Sequence, residues 1–88
     1  MSKKVICSIF DNKAEAWLVP MFFQAKGQAI RVFSDAVNKQ DGDISAHSED
    51  YTLYMLGEFN ELSGMIKVFD HFELLGNGMN FKEGQVEQ

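Results

Sequence analysis

The sequence predicts a small α+β domain: a mainly antiparallel sheet with one amphipathic helix packed across one of its faces. Three observations predict it. An N-terminal run alternates and is rich in β-branched residues, a helical apolar stripe follows Gly27, and two β-prone runs flank a short turn that ends in Gly64. At 88 residues there is room for one core only. We therefore expect a single domain over residues 1–80 and a polar C-terminal tail over 81–88.

The first strand is read from Lys4 to Phe10, where Val5, Cys7 and Ile9 alternate with Ile6, Ser8 and Phe10 and Asp11-Asn12 ends the run. Residues 13–20 fit either a short helical turn or an irregular apolar link, and Pro20 stops both. After Gly27 the 100° spacing collects Ala29, Ile30, Val32, Phe33, Ala36 and Val37 in an arc of about 160°. Arg31, Asp35 and Asn38 fall on the opposite side, facing solvent or a partner. This is a helix of about three turns, ended by the turn chemistry of Gln40-Asp41-Gly42-Asp43.

Beyond the polar stretch 44–50, Tyr51–Phe59 and Met65–Phe69 read as two strands joined by Asn60-Glu61-Leu62-Ser63-Gly64. Asn60 favours the turn, and Gly64 can take the left-handed conformation that a bulged loop needs. Phe72–Leu75 can add one further short strand. Along the first hairpin strand Tyr51, Leu53 and Met55 point to one side and Thr52, Tyr54 and Leu56 to the other. One helix cannot cover both sides. The second is expected to meet a loop, a ligand or another subunit, and a homodimer is the commonest solution.

Composition narrows the function. The 45% hydrophobic content, with eight phenylalanines, excludes a disordered chain. One cysteine excludes an internal disulfide and fits a reducing compartment. No stretch is long and apolar enough for a signal-peptide core or a membrane span. The net charge of −5 conceals an asymmetry: residues 1–40 carry six basic and three acidic side chains, residues 41–88 two basic and ten acidic. Any cationic track for phosphate therefore lies in the first half.

No catalytic set emerges. Cys7 lies within a strand pattern without an adjacent base, so a buried inert thiol is expected. His47, Glu49 and Asp50 fall short of the converging ligands that a transition metal wants, and are read as residues that cap and tether a loop. Gly76 and Gly78 lack the Lys-Ser or Lys-Thr signature of a phosphate loop. No cofactor, no metal and no enzymatic activity are expected.

Several segments carry a resemblance. Ser8-Ile9-Phe10-Asp11, Pro20-Met21-Phe22-Phe23, Ala29 to Asn38, His47 to Tyr54 and Gly57-Glu58-Phe59-Asn60 are similar to the small nonstructural protein of gokushoviruses, single-stranded DNA phages of the Microviridae. The similarity spans residues 4–75. Ser48 stands where a proline is usual after the histidine, and Asn60 where an aspartate is usual. The resemblance implies a phage-encoded protein made in the cytoplasm of the infected bacterial host, absent from the capsid, that helps genome replication or packaging.

Two functions from different classes follow. In the first, favoured by the basic excess in the half that carries the first strand and the helix, the chain binds single-stranded DNA. Phe22 and Phe23 stack on bases, and Lys3, Lys4, Lys26 and Arg31 track the backbone. For the two rings core packing competes with stacking, and for Arg31 an i,i+4 pair with Asp35 competes with phosphate. In the second, the chain is a dimeric interaction module that engages a phage replication or procapsid protein, or a host factor, through its apolar sheet face.

Overall fold

A computed structural model describes residues 2–83. The elements run β1 (Lys3–Asp11), β2 (Ala16–Trp17), β3 (Met21–Phe23), α1 (Lys26–Val37), α2 (Asp43–Ala46), a 3₁₀ turn (Ser48–Asp50), β4 (Tyr51–Asn60), β5 (Ile66–Asn77) and α3 (Gly78–Phe81). All strand pairs are antiparallel, in the order β2-β1-β4-β5, with β3 sharing the outer edge of β1 with β2. The expected α+β class with α1 on one sheet face is what the chain adopts.

The core lies between that face and the helix. Val5, Cys7 and Ile9 of β1 share a side with Leu53 and Met55 of β4, because Cys7 pairs with Met55 and Ile9 with Leu53. Ala29, Phe33 and Val37 of α1 close over them, each at most 1% exposed. The apolar arc of α1 is thus turned inward, except that Val32 at its margin remains 43% exposed. The helix stops at Val37, just before the turn segment Gln40-Asp41-Gly42-Asp43 expected to end it. Asn38 caps it by donating its Nδ2 hydrogens to the carbonyls of Ser34 and Phe81, both at 2.9 Å.

The hairpin forms as its turn chemistry dictates. The Oδ1 of Asn60 accepts from the backbone N–H groups of Leu62 and Ser63, and Gly64 sits at φ 77°. Asparagine offers here the same acceptor that an aspartate would. The two runs expected as separate strands, Met65–Phe69 and Phe72–Leu75, are one strand, β5, with a wide bulge between them. Val68 pairs with Gly57 and Glu73 with Met55, so Phe69–Phe72 oppose Leu56 alone. Next to the bulge, a side chain on Gly57 would collide with the backbone carbonyl of Lys67, which explains the glycine inside a strand.

Residues 13–20 resolve into a tight turn and β2, followed by an extended link. A backbone bond from Leu18 N–H to Ile9 O (2.8 Å) and a side-chain bond from the Ser8 hydroxyl to Leu18 O (2.6 Å) hold that link to β1. Ser8 is buried and satisfied by this bond. At the other end, Phe81 stacks edge-on against Phe33 at 5.8 Å, and the Lys82 ammonium donates to the carbonyls of Val37 and Ser45. The start of the segment expected as a tail is thereby fastened over the end of α1; residues 84–88 of that segment lie outside the described residues.

Candidate binding surface

The face of the sheet turned away from α1 is built by strand alternation. Register places Ile6 and Phe10 of β1, Phe22 of β3, Trp17 of β2 and Tyr54 and Phe59 of β4 on it. From β5 come Ile66, Val68, Phe72 and Leu74, since Ile66 pairs with Phe59 and Leu74 with Tyr54. Trp17 organises one half: its ring lies 5.0 Å from Phe10, 5.3 Å from Tyr54 and 5.4 Å from Phe72. Phe22 and Phe59 meet edge to face at 5.7 Å in the other half. Such contacts are favourable in themselves and hold the rings in fixed orientations. The rings are not covered: Trp17, Phe22 and Phe72 are 43%, 49% and 41% exposed, and Ile66, Val68 and Leu74 are 55%, 61% and 62% exposed.

The residues expected to bind nucleic acid do not converge on this face. Phe22 lies on it, whereas Phe23, one residue later, is turned to the helix side and packs against the core. Lys4 lies at its edge opposite Phe59, with its ammonium 3.3 Å from Glu61. Lys3 falls on the helix side and pairs with Glu58 at 3.7 Å, and Lys26 at the start of α1 pairs with Glu73 at 2.8 Å. Arg31 is exposed on the outer surface of α1 and makes no ion pair with Asp35. Three of the four cations are thus already opposite carboxylates. The residues that sequence reasoning missed are Trp17 and the β5 set Ile66, Val68, Phe72 and Leu74. The signal for the β5 set was the period-2 spacing that continues from 66 to 74, interrupted only by Asp70, whereas Trp17 lies in the stretch 13–20 that has no such periodicity.

The other candidates are placed as follows. Cys7 is fully buried, and burial, aided by the charge of Glu73, pushes its thiol up to about 11, the opposite of an activated nucleophile. His47, Glu49 and Asp50 bring their ligand atoms within 4.8 Å of one another, two of the three residues being exposed. The loop that carries them is tethered by a different residue: Asn77 Nδ2 donates to Glu49 O (3.0 Å), Tyr51 O (3.2 Å) and Thr52 Oγ1 (3.0 Å). Burial and the nearby charges of Asp11, Asp43 and Asp50 raise the pKa of Tyr51. On the helix side an open apolar groove of about 440 Å³ runs between α1 and the link after β2, lined by Leu18, Val19, Met21, Val32 and Ile44 among others. No helix among the described residues is long and apolar enough to cross a membrane.

The arrangement defines a class: a small α+β protein whose one unclosed sheet face offers a fixed array of aromatic and aliphatic side chains. Comparison with known proteins gives the family. Residues 4–81 match the profile described as "Phage ORF5 protein", and the chain belongs to that family. Among curated proteins and among solved structures nothing matches.

Proposed function

We propose that this phage protein is a non-catalytic accessory protein that works through protein–protein contact at the helix-free face of its sheet. The observation that carries the reading is the exposure on one face of Trp17, Phe22, Ile66, Val68, Phe72 and Leu74, with Lys4 the one basic residue among those assigned to it and already opposite Glu61. Aromatic enrichment with depletion of charge is the signature of the core of a protein interface. Single-stranded DNA asks for a cationic groove as well as stacking rings. Here the rings are present, but Lys3, Lys4 and Lys26 are engaged by Glu58, Glu61 and Glu73 and spread over both sides of the sheet. The buried, proton-retaining thiol of Cys7 supports the non-catalytic reading.

In the phage setting the contact would serve genome replication or packaging in the cytoplasm of the infected bacterium, and the segments shared with the gokushovirus nonstructural protein support placing the phage among the Microviridae. Site-specific photocrosslinking in infected cells tests the reading. A benzophenone side chain at position 68 or 74 is expected to give adducts with a protein chain, and one at position 35, on the outer side of α1, is not. Adducts chiefly to nucleic acid, or equal yields from all three positions, would overturn it.

A further inference from the structure

We propose that the protein chain seated on the helix-free face is a second copy of this one, the two sheets packing face to face about a two-fold axis. The inference rests on the reading of that face as a protein-docking surface and names its occupant. Three observations carry it.

The first is area. Aromatic side chains carry about 150–250 Å² each and aliphatic ones somewhat less, so at their fractional exposures Trp17, Phe22, Ile66, Val68, Phe72 and Leu74 leave roughly 600 Å² uncovered. A stable interface of standard size buries about 800 Å² on each partner. The patch therefore supplies most of one partner's share of such an interface, and it stands at the upper end of the roughly 300–600 Å² of the largest patch on a typical monomer.

The second is chemistry. Interfaces formed with transient partners are about as polar as the rest of a protein surface, whereas the contact surfaces of homodimers are more apolar. The side chains of Ile66, Val68, Phe72 and Leu74 offer a partner no hydrogen bond, and the polar Ser8 beneath the aromatic layer is already satisfied by Leu18 O. Such a surface complements itself without any matched charge on the other side, which is what an isologous contact requires.

The third is the size of the core. Among the described residues the buried hydrophobic ones number eight, all but Ile6 in the single cluster beneath α1. A chain this small gains from a partner subunit when it has no disulfide, and Cys7 is its one cysteine.

Sedimentation equilibrium on the full chain tests the proposal. The wild type is expected to be a dimer at tens of micromolar. The double variant Val68→Glu/Leu74→Glu places four carboxylates in the contact and is expected to weaken association at least about a hundredfold. Val19→Glu, on the exposed rim of the groove on the helix side, is expected to leave it unchanged, and circular dichroism reports whether each variant folds. If the double variant does not fold, Leu74→Glu alone replaces it, because that side chain stands 62% exposed at one end of the patch. A wild type that stays monomeric over this range, or a dimer that survives the glutamates, overturns the second copy as occupant. Photocrosslinking to a different protein from positions 68 and 74 would then leave the docking reading standing, and crosslinking to nucleic acid would remove both.

Discussion

The two faces of the sheet are made from the same strands and have opposite fates. On the helix side, Cys7, Ile9, Leu53 and Met55 are no more than 5% exposed because α1 presents Ala29, Phe33 and Val37 to them. On the other side the side chains are larger, with six aromatic rings in two contact groups, four around Trp17 and the pair Phe22 and Phe59, yet nearly half of the surface of Trp17, Phe22 and Phe72 remains in water. A strand cannot make one side apolar for stability and leave the other without consequence. Where both alternating sets are apolar, one set builds the fold and the other is available to a partner. In this chain the smaller, fully enclosed set does the first, and the larger, aromatic set is the one left in water.

Phe33→Ala breaks the comparison most strongly if it is right. Removing a ring that is 1% exposed from the centre of the core should destabilise the fold by about 3–5 kcal/mol. Leu74→Ala on the open face should cost the monomer under about 1 kcal/mol. Urea unfolding followed by the fluorescence of Trp17, at concentrations low enough to hold the chain as a monomer, measures both. Equal losses would mean that the open face is part of the monomer's core.

A titration sharpens the picture of the closed face. The thiol of Cys7 rises from the ordinary 9.0 to about 11 in the folded chain, chiefly by burial and secondarily by the charge of Glu73. The native state then holds its proton where the unfolded chain has lost it. This contribution is fully present below pH 9 and is lost as pH rises towards 11, by up to about 1.4 kcal/mol per pH unit and roughly 2–3 kcal/mol in all. Tyr51 is also raised, by burial and by the charges of Asp11, Asp43 and Asp50. Stability curves of the wild type and of Cys7→Ala should therefore converge or cross between pH 9 and 11; parallel curves would show that Cys7 is open to solvent.

The smallest effect is expected at the paired lysines. Replacing Lys3 and Lys4 with alanine removes two exposed ion pairs, with Glu58 and Glu61, each worth at most about 1 kcal/mol. In a salt-series titration with labelled single-stranded DNA, the wild type should show little salt-dependent affinity and the double variant no change. A slope that flattens by about 1.4 on replacing both, two phosphate contacts' worth, would restore the nucleic-acid reading and assign these lysines to it.

Local chemistry made much of this legible from the chain alone. The alternation of Val5, Cys7 and Ile9, the 3.6-residue spacing of Ala29, Phe33 and Val37, and the Asn60 to Gly64 turn each satisfy backbone and side-chain demands within a few residues. Each is found where the sequence placed it. The short β2 and β3 and the one-turn α2 and α3 were not legible, because neither propensity nor periodicity accumulates over two to four residues. They exist through long-range partners: Leu18 through β1, and Phe81 through Phe33 and Asn38.

The binding surface divides in the same way. The sequence by itself determined that both sides of β4 are apolar and that one helix is too little to cover them. Only the tertiary structure decided which side α1 takes, that Phe22 and Phe23 part to opposite sides, and that Trp17 reaches across the open face to Phe72. Only it decided, too, that Lys3, Lys4 and Lys26 meet carboxylates from β4, the hairpin loop and β5. The physical reason is that alternation fixes where a side chain points relative to its neighbours on the strand. What that direction meets is set by register and by bulges such as the one opposite Leu56, which depend on partners far away in the chain.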